Sequence, residues 1–83
     1  MQSIKLPLVE LKNEGGKQDL GFHEFVYIPL HGDKIILHDF KAGIGADIFE
    51  VLFVEHNPLP SKPMATIYVK CLGDYNTYRY KII

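Results

Sequence analysis

The sequence predicts an all-β fold, a small single-domain antiparallel barrel or rolled sheet of five to six short strands. Three observations carry this expectation. Between Phe22 and Leu72 lie four short apolar runs, FHEFVYIPL, KIILHDF, DIFEVLFVEH and TIYVKCL, rich in the β-branched and aromatic residues that suit a pleated, half-buried surface. Turn-forming residues divide them: His31-Gly32-Asp33, then Gly43 and Gly45, then Pro58, Pro60 and Pro63. The chain has 83 residues, and a chain of that size builds one core, burying roughly 60% of its unfolded surface. One domain over residues 1–83 follows, of the SH3-like or OB-like kind in which short strands roll up to reduce exposed edges.

The first strand is expected at Ile4–Leu11. Ile4, Leu6 and Leu8 alternate with Lys5 and Pro7 before the apolar phase shifts to Val9 and Leu11. A phase shift beside a proline indicates a bulge or an edge position, because proline cannot donate to a ladder, and the strand is assigned to an edge. Residues 12–21, KNEGGKQDLG, are polar with three glycines and read as a loop. Residues 22–30 form the second strand, with Val26, Ile28 and Leu30 expected inside. Pro29 ends it, and Gly32-Asp33 reverses the chain into a return strand over residues 34–40. In that hairpin Lys34 faces His31 and His38 lies opposite Tyr27. The segment IPLHGDKIIL resembles the turn of many small barrels, a resemblance of geometry that points to no one family.

Gly43 and Gly45 form a wide turn, since a phosphate-binding loop needs the fuller G-x-G-x-x-G or G-x-x-x-x-G-K pattern. Residues 48–56 then make the longest apolar run. Phe49, Leu52 and Phe53 also fit a helical period, but the β-branched and aromatic content favours a strand. Residues 34–40 and 48–56 are apolar on both faces, which implies strands covered on both sides. Asn57 to Pro63 is a proline-stiffened connector. Residues 65–72 alternate, with Ile67, Val69 and Cys71 inward and Thr66, Tyr68 and Lys70 outward. Gly73-Asp74 turns the chain into a last strand over residues 75–83.

Charge and cysteine usage narrow the functional classes. Nine basic and ten acidic residues leave a net charge of −1 with no block of either sign, unlike the basic footprint of a nonspecific phosphate binder. Cys71 is the only cysteine, so no internal disulfide staples the fold, and a reducing, cytoplasmic location is expected. No run of 18 apolar residues spans a membrane, and the first residues lack the pattern of a secretory signal. Apolar residues make up 47% of the chain, including five Phe and five Tyr. So small a core leaves some of these at the surface, where a contiguous patch marks an interface.

Catalytic and cofactor signatures are absent. Ser3 and Ser61 lack a nucleophile-elbow context, and an inward Cys71 is an inert hydrophobe. The acid pairs Asp47 with Glu50 and Glu50 with Glu55 are ordinary strand-exterior carboxylates. His23, His31, His38 and His56 lack the close pairing of zinc ligands, so no metal or cofactor is expected. Were a ligand bound in the barrel mouth, His38 and His56 would be the first candidates.

The interaction surface expected from sequence comprises Tyr68, Lys70, Tyr78, Arg79 and Tyr80. Rings interleaved with cations suit single-stranded nucleic acid, yet Tyr78 and Tyr80 share a face with Ile82 while Arg79 and Lys81 lie opposite. The leading expectation is therefore a non-catalytic module that docks on a protein partner or self-associates through an edge strand and an apolar patch. A small-barrel nucleic-acid binder using the C-terminal hairpin is the alternative.

Overall fold

The computed structural model describes residues 3–38, 46–58 and 64–74. Five strands account for most of them: β1 (Ile4–Leu11), β2 (Lys17–Phe25), β3 (Lys34–His38), β4 (Ala46–His56) and β5 (Ala65–Asp74). They form one sheet in the order β2-β1-β5-β4-β3, curled into a half-barrel. The all-β expectation holds, with one change: β1 runs parallel to β5, so the sheet is mixed rather than purely antiparallel.

The core lies on one face of the three central strands. Leu6, Leu8, Val51, Ala65, Ile67 and Val69 are fully buried, and Phe49 nearly so. Burying a side chain of this kind contributes about 1.5–3 kcal/mol relative to leaving it in water. Val51 and Val54 both reach the core although they are three residues apart, because the β4–β5 register shifts between Val51 and Phe53 and leaves Leu52 as an extra residue. The helical period of Phe49, Leu52 and Phe53 marks no common face, since Phe49 is buried while Phe53 is exposed, and the whole segment is strand.

Strand β1 occupies an interior place instead of an edge. Its pairing with β5 involves only Leu8, Val9 and Glu10, so Pro7 lies outside the stretch paired on both sides and its missing donor is tolerated. A bulge does lie opposite Leu8, with its extra residue in β2. Pro7 pairs with Phe22 and Val9 with Asp19, so Leu8 faces two residues, Leu20 and Gly21. Gly21 takes φ 83°, a conformation that glycine adopts without strain.

The segment expected as a loop over residues 12–21 is mostly strand, since β2 begins at Lys17. An edge ladder forms through backbone bonds alone and needs no apolar side chains, so the polar Lys17, Gln18 and Asp19 stay in water. Only residues 12–16 turn, closed by bonds from Gly15 N to Lys12 O and from Lys12 N to Gly16 O, both 2.9 Å. Beyond the bulge the register is offset, and Phe25 packs on the core while Val26 and Leu30 are exposed. Of the three residues expected inside, Ile28 alone packs against the core.

Strand β3 does not return beside β2. Lys34 pairs with Glu50 and His38 with Ala46 on β4, which displaces the expected pairings of Lys34 with His31 and of His38 with Tyr27. The tight turn itself forms: Asp33 N donates to Leu30 O at 3.0 Å, and Asp33 Oδ2 accepts from Leu30 N at 2.9 Å. Residues 26–33 then carry the chain from one sheet edge to the other. Cover on both faces holds only at the start of β4, where the consecutive Ile48 and Phe49 are both buried, and not for β3 or for the rest of β4. Ile35 and Leu37 pack on the core, but Ile36 is 40% exposed and Phe53 48%.

Gly73 and Asp74, expected as a turn, continue β5 and pair with Ile48 and Asp47. Cys71 is exposed rather than inward. Pairing with β1 ends at Val69, and beyond it Cys71 lines an open groove with Leu11 and Lys12. The expected turn at Gly43 and Gly45 and most of the proline connector lie outside the described residues, as does the strand expected over residues 75–83. Asn57 N donates to Met64 O at 2.8 Å where the connector meets the sheet.

Candidate interaction surface

On the outer face of the sheet, the strict alternation of β5 turns Thr66, Tyr68 and Lys70 away from the core. Lys70 and Tyr68 therefore share a face, with partners supplied by β4. Glu50 Oε1 lies 3.3 Å from Lys70 Nζ, and Glu50 Oε2 lies 3.2 Å from Lys34 Nζ. The hydrogen bond from Lys34, then that from Lys70, holds the Glu50 carboxyl below the ordinary glutamate range. One carboxylate thus bridges the cations of two strands across a third.

The next row is aromatic. The rings of Phe53 and Tyr68 stack with centroids 4.6 Å apart and planes 21° from parallel, an arrangement made possible by the bulge that brings Phe53 opposite Tyr68. Tyr68 Oη donates to Glu55 Oε1 at 3.2 Å. Partial burial of the phenol, followed by that hydrogen bond to Glu55, lifts its pKa above the usual tyrosine value. Of the five residues the sequence singled out, Tyr68 and Lys70 belong to this face; Tyr78, Arg79 and Tyr80 lie outside the described residues.

A second surface was not legible in the sequence. Strands β2 and β3 stand at opposite ends of the strand order, yet the curl makes both line one cleft of about 440 Å³. Glu24 and Phe25 come from the end of β2, Lys34 and Ile35 from the start of β3, and Tyr27 and Asp33 from the link between them. Val26, Tyr27 and Leu30 project from this region, the last 67% exposed. The signal available beforehand was the run of apolar residues on either side of Pro29, which reads as a strand interior until the bulge at Gly21 is known.

No family model, curated protein or solved structure matches the chain. Geometry must therefore carry the functional reading. Among the described residues no three His, Cys, Asp or Glu side chains gather as a metal site. His23 Nε2 lies 2.8 Å from Leu20 O, a local backbone contact, and His31 and His56 are exposed. A second groove, of about 460 Å³, is lined by Glu10, Lys12, Glu14, Lys70 and Cys71 among others. Its charges are of both signs and favour no one ligand.

Proposed function

We propose that the protein is a non-catalytic interaction module that docks on a protein partner, or on a second copy of itself, through an edge strand and the apolar side chains beside it. The observation that supports this reading is the coincidence of open ladders with exposed apolar residues. Among the described residues neither β2 nor β3 pairs on its outward side, and Phe22, Val26, Tyr27, Leu30 and Ile36 are exposed around them. An unpaired edge offers backbone donors and acceptors to an added strand, and the neighbouring side chains supply the desolvated contact.

Strand β3 suits this role better than the first half of β2. Its pairing with β4 runs without a register shift, whereas β2 is kinked at Gly21 and carries Lys17 and Asp19. Bulges and charges are the devices that blunt an edge against pairing. The nucleic-acid alternative fits the outer face less well, because Phe53 already stacks on Tyr68 and the Glu50 carboxylate already engages both Lys34 and Lys70.

Light scattering across a concentration series tests self-association, and an Ile36→Lys variant should shift any dimer towards monomer. A strict monomer at all concentrations leaves docking on another protein, read from whether backbone amides of β3 shift when that partner is added. Binding to single-stranded oligonucleotide that weakens steeply with salt would favour the alternative instead.

A further inference from the structure

We infer that the cleft between β2 and β3 accepts a single extended peptide segment of a partner protein, one that carries a basic side chain between apolar ones. The inference rests on the interaction-module reading and names the partner chemistry at one of its surfaces. The end of β2 and the start of β3 form two sides of the cleft, and Val26, Tyr27, Pro29 and Asp33 of the link between them complete its lining. Past the bulge, β2 is regular: Phe22, His23, Glu24 and Phe25 pair with Pro7, Leu6, Lys5 and Ile4. On the other wall β3 is regular throughout. The pairing directions along β2-β1-β5-β4-β3 make the two edges antiparallel to each other, so an inserted strand runs antiparallel to one and parallel to the other.

This arrangement selects the occupant. The edge strand of a second copy already has a neighbour on one side, and the sheet behind it could not enter between two walls. A lone extended segment has both sides free. The five residues of β3 span about 17 Å at roughly 3.3 Å per residue, which is the longest ladder that edge offers, and its first two residues, Lys34 and Ile35, line the cleft. Inserted there, the segment adds a strand to the half-barrel and draws on the ladder bonds of β-strand addition.

The charges of the cleft select its chemistry. The Lys34 ammonium is already engaged, donating to Gly32 O at 2.8 Å and to Glu50 Oε2 at 3.2 Å. Glu24 and Asp33 leave the remaining lining acidic. Lys5 stands opposite Glu24 in the ladder, but the two form no ion pair among the described residues. A lysine or arginine on the incoming strand meets these carboxylates and the exposed ring of Tyr27, while its apolar neighbours meet Phe25 and Ile35.

Selection of the full-length protein against a displayed library of random dodecapeptides tests the inference. Enriched peptides should alternate apolar residues with Lys or Arg, bind at least about tenfold more weakly to Glu24→Lys, and shift the amides of Phe22, Phe25, Ile35 and Ile36 in heteronuclear spectra. Glu24→Gln should give an intermediate loss. No enrichment, or enriched peptides indifferent to Glu24→Lys, would overturn it. Backbone contacts between residues 75–83 and β3 in the free protein would also overturn it, by giving the cleft to the chain itself. Peptides that instead shift Phe53 and Tyr68 would move the docking surface to the outer face, ending this inference while leaving the interaction-module reading intact.

Discussion

At the scale of single residues, burial and charge make opposite demands. Leu8 and Ile67 are fully buried and directly opposed in the β1–β5 ladder. Truncating either to Ala should cost about 2–5 kcal/mol, the sum of lost transfer energy and a residual cavity, read as a fall in urea midpoint at unchanged slope. Glu50 acts through its ionised form. Its folded-state pKa lies below the ordinary value of 4.5, so the stability it contributes is present above that value and is lost as pH falls through the folded pKa. The urea midpoint should therefore fall less steeply below about pH 4.5 in Glu50→Gln than in the parent protein, and the difference should shrink in 1 M salt, where the screening length is about 3 Å. Equal acid profiles would show that the Lys34–Glu50–Lys70 bridge contributes nothing. Cys71 adds a simpler check: an exposed thiol should react with a chromogenic disulfide in the native state nearly as fast as in denaturant.

At the scale of elements, what the sequence discloses depends on whether side chains or backbone geometry decide the structure. The limits of β1 are readable because Ile4, Leu6 and Leu8 alternate and Val9 and Leu11 carry the apolar run on to polar Lys12, and alternation makes Thr66, Tyr68 and Lys70 readable as an outer face. Bulges defeat that reading. One at Gly21 turns Val26 outward and Phe25 inward; another at Leu52 brings Phe53 opposite Tyr68 and so makes the stacked pair. Lys17, Gln18 and Asp19 were not legible as strand because a two-sided wet edge is held by backbone bonds that leave no side-chain pattern. The bulge can be tested where it is made. Gly21→Ala meets no atom within 4 Å, so its cost arises from φ 83° alone and should be about 1–3 kcal/mol. Gly16, which lacks a positive φ and is equally open, should accept Ala with no loss, or with a gain of about 0.4–1 kcal/mol through the unfolded chain. Similar losses at both positions would remove the case for a glycine-dependent bulge.

At the scale of the whole molecule, strand order is what the sequence hid, and it is also what creates the cleft. Side-chain alternation shows which residues face a core but not which strands are neighbours; the short turn at His31-Gly32-Asp33 suggested a hairpin, whereas residues 26–33 span from one edge to the other. The consequence is an uneven distribution of stability. All seven core residues lie on β1, β4 and β5, so amides of Ile67 and Val69 should exchange with solvent only on global unfolding. Strand β3 has five residues and one described neighbour, and its amides should exchange through smaller openings, several orders of magnitude faster. Dilution makes the comparison decisive. If β3 is protected like β5 at high protein concentration and loses that protection on dilution, a second copy covers its edge; protection that persists at every concentration requires a neighbour within the chain; and fast exchange throughout leaves the edge free for another protein.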